Sequence, residues 1–159
     1  MPFLLLVFII TIVTANAQER PPRPITVTVN VARQLQFGSF IQTGSYGTVT
    51  VDYTNTRSAT GSIILPNISS SAFPTSALFI VDAEPGTLIT IENGQPVELT
   101  GNHGGKITLT LGEASTRSPF VTRDRTTEVF IGGTLEVQTL SANPAGSYSG
   151  TFQVTFIQQ

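Results

Sequence analysis

Apolar and polar residues alternate with a period of two along most of this chain. Ile25, Val27, Val29 and Val31 are separated by Thr26, Thr28 and Asn30. Val49, Val51 and Tyr53 alternate with Thr48, Thr50 and Asp52, and Ile107, Leu109 and Leu111 alternate with Thr108 and Thr110. Near the end, Tyr148, Phe152, Val154 and Phe156 fall on one side, with Ser149, Thr151, Gln153 and Thr155 on the other. Side chains of a strand point to opposite faces in turn, so each run predicts a strand with one buried and one wet face. Shorter apolar stretches add Leu35 with Phe37, Ile63–Leu65, Leu78–Val81, Leu88–Ile91, Val97–Leu99, Val129 with Ile131, and Leu135 with Val137. No window carries a 3.6-residue period, and 14 Gly and 10 Pro oppose helices. The pattern predicts an all-β protein, an antiparallel β-sandwich.

Turn chemistry refines this. Asn93-Gly94 between two apolar runs predicts a tight hairpin, because a type I′ turn needs positive φ at both central residues. Pro96 places that hairpin at a sheet edge, since proline cannot donate to a ladder. Gly132-Gly133 inside a strand pattern predicts a bulge or a close backbone approach. The terminal run from Tyr148 predicts one continuous strand in a central, paired position.

The first residues read differently. Phe3 to Val13 is an apolar run broken only by Thr11 and followed by Ala15-Asn16-Ala17, the small-x-small pattern of a signal-peptide cleavage site. The run is too short for a permanent membrane span. The expected organisation is a signal peptide over 1–17, a Pro-rich tether over 18–24, and a single sandwich domain over 25–159. No stable membrane span is expected after cleavage. With no Cys in 159 residues, neither a disulfide framework nor a lipidated cysteine anchor is available. Eight basic residues against ten acidic leave a net charge of −2, which gives no electrostatic footprint for nucleic acid.

Candidate chemistry is sparse. His103, the sole histidine, sits in Gly101-Asn-His-Gly-Gly105, a turn sequence with no nucleophile elbow or triad spacing elsewhere. Asp52, Asp82, Glu84 and Asp124 are scattered singly, without calcium-loop spacing. No catalytic, cofactor-binding or metal-binding residue is assigned, and no cofactor is expected. Arg117, Arg123 and Arg125 form the one basic cluster and are candidates for contact with an anionic glycan or a partner's carboxylates. Asp124 and Glu128 lie among them, so internal pairing or solvation is the simpler reading.

Several motifs carry a family resemblance. Leu35-Gln-Phe37-Gly38 is followed by Gly47-Thr-Val-Thr-Val51, Arg57-Ser-Ala-Thr-Gly61, Phe79-Ile-Val81 and Glu84-Pro-Gly-Thr87. Ile131-Gly-Gly-Thr-Leu135 and Gly146-Ser-Tyr-Ser-Gly-Thr-Phe152 complete the order. In this order and spacing the chain resembles the bacterial domain-of-unknown-function family 4402, in its Bacteroidetes form. The first and last motifs are the most specific. The resemblance implies export from a Gram-negative bacterium to the periplasm, cell surface or medium, an immunoglobulin-like sandwich, and no catalytic residue. More distantly the layout is similar to spore-coat-U-type and archaic chaperone–usher pilins, though it lacks their usual cysteines and their long insert before the Phe-Gly.

The function expected is a noncatalytic exported β-sandwich with a structural or adhesive role, partnered by itself or by other surface proteins. One alternative is a pilin-like subunit that lends Ile25, Val27, Val29 and Val31 to a neighbour as an added strand. The simpler reading makes that segment the domain's own first strand. A second alternative is a carbohydrate-binding module. Against it, Trp is absent and at least two of Tyr46, Tyr53 and Tyr148 are expected to be buried.

Overall fold

A computed structural model describes residues 26–29, 33–67 and 73–159. The expected signal peptide, the Pro-rich tether, Ile25 and Val31 lie outside the described residues.

Every regular element described is a strand. The eleven are β1 (Thr26–Val29), β2 (Ile41–Val51), β3 (Arg57–Ile64), β4 (Ala77–Asp82), β5 (Leu88–Asn93), β6 (Val97–Gly101), β7 (Lys106–Ala114), β8 (Phe120–Val121), β9 (Thr126–Val137), β10 (Tyr148–Ser149) and β11 (Val154–Gln158). All pair antiparallel. One sheet of eight strands runs β1-β4-β9-β7-β6-β10, with the β2–β3 hairpin also on β9. A second sheet runs β11-β5-β8. The protein is thus an all-β antiparallel sandwich, as the alternation predicts.

β9 organises the larger sheet. Its first half, Thr126–Ile131, pairs with β4, and Gly133–Val137 pairs with β2. β7 runs along its other edge, with a register shift between Leu111 and Ala114 opposite the changeover. Gly132 sits at the changeover. A Cβ there would collide with the carbonyl oxygen of Val51 and come within 2.8 Å of two backbone atoms of Asp52. The double glycine therefore marks a close backbone approach, and the bulge it induces falls on the neighbouring strand.

The core has two lobes. Val49, Val51, Leu99, Ile107, Leu109, Leu135 and Val137 fill one, under β2, β6, β7 and the second half of β9. Phe79, Val81, Ile89, Ile91, Val129 and Ile131 fill the other, between β4–β9 and the smaller sheet. Leu35, Leu111 and Phe152 pack against both. Each such side chain stabilises the fold by about 1.5–3 kcal/mol when fully buried.

Three expectations are corrected. Asn93-Gly94 does not make a hairpin. β5 pairs with β11 and β8, while β6 pairs with β7 and β10, so this turn carries the chain from one sheet to the other. Gly94 donates its N–H to the Gln153 carbonyl at 2.9 Å instead of closing a two-residue loop. The terminal run is also not one strand. β10 lies on β6 and β11 on β5, the segment between them crosses the sandwich, and both strands end their sheets rather than sit centrally. The burial alternation survives the crossing: Tyr148, Phe152, Val154 and Phe156 are half-buried and the intervening residues exposed. Leu35 and Phe37 lie in no strand; the segment touches Thr75 through an isolated bridge at Gln36.

Candidate functional site

A groove of about 880 Å³ lies over the first core lobe. Leu99 of β6, Ile107 and Leu109 of β7, and Leu135 and Val137 of β9 form its floor. Gln34–Gln42 line one wall and Asn143–Gly150 the other, with Phe152 beyond. The two motifs most specific to the family resemblance, Leu35–Gly38 and Gly146–Phe152, thus line one and the same groove. Neither motif alone signals a groove, because their approach depends on how the sheet curls.

Polar groups hold each wall. The Arg57 guanidinium, on the first residue of β3, donates to the carbonyls of Phe37 at 3.1 Å, Ser39 at 3.0 Å and Pro66 at 3.2 Å. These charge-assisted bonds pin the left-handed turn at Gly38, whose φ is 69°. On the opposite wall, buried Asn143 accepts from the Gln138 N–H and donates to the Lys106 carbonyl, tying the loop after β9 to β7. The Tyr148 hydroxyl donates to the Pro144 carbonyl at 2.7 Å. Burial pushes the Tyr148 phenol above its ordinary range, so it stays a neutral donor.

The lining contains no Asp, Glu, Lys, Arg or His. It offers apolar and aromatic surface, amides and hydroxyls, the Tyr148 phenol among them. Among the described residues no group of three or more His, Cys, Asp and Glu is arranged to hold a metal ion.

The sequence-predicted residues lie elsewhere. His103 is exposed, and its Nδ1 lies 2.9 Å from the Ala145 carbonyl. Arg117, Arg123 and Arg125 are all exposed. Arg117 occupies the turn after β7 with φ of 62°, and Arg125 pairs with Glu84 at 3.1 Å rather than with Asp124 or Glu128. An exposed pair of this kind contributes little stability. Val27 and Val29 lie in β1, in register with Val81 and Phe79 of β4 in the same chain. The tyrosines depart from expectation: Tyr46 is 51% exposed and Tyr53 44%, while only Tyr148 is half-buried. Tyr46 falls in the register shift of β2 between Gln42 and Gly47 and shares the outward parity of Thr48 and Thr50, while Tyr53, on the parity of Val49 and Val51, falls past the end of the strand, where period-two counting no longer holds.

Among the described residues no helix is long and apolar enough to cross a membrane. No curated protein and no solved structure matches the chain. A family model does match, over residues 25–157, and its description is a domain of unknown function, DUF4402. That span includes both walls of the groove and every described strand but the last residue of β11, so the chain belongs to the DUF4402 family.

Proposed function

We propose that this protein is an exported, noncatalytic β-sandwich that acts as a structural or adhesive component at the bacterial surface or in the periplasm. One observation carries the reading: the groove presents apolar and aromatic surface with no charged residue or histidine in its lining. Such a surface suits recognition rather than bond cleavage, which calls on positioned acids, bases or nucleophiles. The leader-like start of the sequence supports export. Fractionation of the native cell, with protease treatment of intact cells, tests the location. Recovery of the intact chain, Met1 included, from the cytoplasm would overturn the proposal. So would a hydrolytic activity that His103→Ala removes.

The pilin-like alternative asks for an incomplete core. Here Ile107, Leu109, Leu135 and Val137 are each 3% exposed or less, so the groove floor is already sealed by the chain's own walls. The glycan-binding alternative gains from the exposure of Tyr46 and Tyr53, since sugars stack on exposed aromatic faces. Loss of binding to a surface polysaccharide on Tyr46→Ala or Tyr53→Ala would favour it over the structural role.

A further inference from the structure

Phe40, Tyr148 and Phe152 stand half-buried along the groove, and Leu140 at its rim is 58% exposed. Ahead of β1 the sequence reads Arg20-Pro21-Pro22-Arg23-Pro24. Its first and last prolines are three residues apart, which places them on the same side of a polyproline II helix with three residues per turn. Aromatic-lined grooves take such segments because the helix is largely ordered beforehand and loses little entropy on docking. We propose that residues 18–25 of a second copy of this chain dock in the groove, with Pro21 and Pro24 against the aromatic walls. This deepens the structural role proposed above and rests on it.

Chain reach identifies the occupant as a second copy. Thr26 is in register with Asp82, and Asp82 with Thr126 at the start of β9. The groove floor residues Leu135 and Val137 lie at the far end of that strand. At about 3.3 Å per residue they are roughly 30–36 Å from Thr126. Pro24 is two residues from Thr26 and so within about 7 Å of it. Pro21, five residues from Thr26, reaches at most about 18 Å from it, so while β1 stays on β4 a molecule's own prolines fall short of Leu135 and Val137 in its own groove. β1 begins beside the start of β9, and the groove floor lies toward the end of β9. A contact between tail and groove is head-to-tail, and it propagates into a row of copies unless the rotation closes a ring. A Pro-rich tail also fits the sealed floor better than an inserted strand does. It lies on ring faces and needs no empty core positions.

Sedimentation velocity on the full chain as exported by its host tests this. The parent protein should associate more as concentration rises. Pro21→Gly with Pro24→Gly in one chain should weaken association at least tenfold, and Leu140→Asp should do the same, each with an unchanged melting temperature. Mixing the two variants should restore a one-to-one dimer, since one keeps its tail and the other its groove. A parent that stays monomeric at every concentration reached would overturn the proposal. So would a proline variant that associates like the parent, or a mixture of two folded variants that gives no dimer. Failure on these counts leaves surface location, read by fractionation, as a separate question.

Discussion

The rings of Phe79 and Phe156 meet across the sandwich, with centroids 5.5 Å apart and planes tilted by 52°. Phe79 lies on β4 of the larger sheet, and Phe156 on β11 of the smaller one. The contact therefore joins the two layers and anchors the last strand of the chain. Tilted aromatic pairs contribute about 0.5–1.5 kcal/mol beyond the area they bury. A double-mutant cycle with Phe79→Leu and Phe156→Leu, read by chemical denaturation, should return a coupling in that range. Phe79→Ala alone should cost about 3–5 kcal/mol, because Phe79 is buried. A coupling near zero would show that the layers are held by other contacts.

Gly132 and Gly104 should differ in what an added methyl costs. Gly132→Ala drives a methyl into the backbone of Val51 and Asp52, where β9 changes partners, and nothing there is a flexible side chain that moves aside. The loss should reach about 3 kcal/mol, the upper part of the usual range for a single substitution. Gly104 faces open space, and only its φ of 86° opposes a side chain, so Gly104→Ala should cost about 1 kcal/mol. Thermal melts of the two variants side by side check the contrast.

Arg57 should be the residue on which the groove wall depends. Arg57→Met keeps much of the aliphatic stem and removes three donated bonds to Phe37, Ser39 and Pro66. A hydrogen bond from a charged donor contributes about 1.5–3 kcal/mol. We expect a loss of that order, with hydrogen exchange accelerated at residues 37–42 and little changed in β7 and β9. Uniform acceleration throughout the sheet would place the role of Arg57 in the core instead.

Asp52 should give the fold part of its acid sensitivity. Burial raises the Asp52 carboxyl, but bonds from the Thr54 hydroxyl and from the Thr56 and Thr54 N–H groups outweigh it and leave its pKa below the ordinary value. A carboxyl depressed in the folded state contributes stability above its unfolded pKa. That contribution fades as pH falls through the folded one. The parent should therefore lose stability below about pH 4, and Asp52→Ala should lack that component. Parallel pH dependences for the two proteins would assign the acid loss to other carboxylates.

Period-two alternation by itself determined the class of this fold, for a physical reason: which face a side chain occupies within a strand is local. Val49 and Val51, Ile107 and Leu109, and Leu135 and Val137 all point inward as their spacing implies. The close approach at Gly132 was legible too, because only glycine tolerates another backbone so near. What only the tertiary structure decided was partnership. Asn93-Gly94 has the composition of a hairpin turn, yet the ladders on offer to β5 and β6 lie in different sheets, and long-range pairing overrides a two-residue preference. The run from Tyr148 to Phe156 keeps its alternation while changing sheets, since both sheets bury their inner faces against the same core. The groove arises in the same way: Phe37 and Tyr148 are over a hundred residues apart in sequence, and the fold brings both to the lining of one groove.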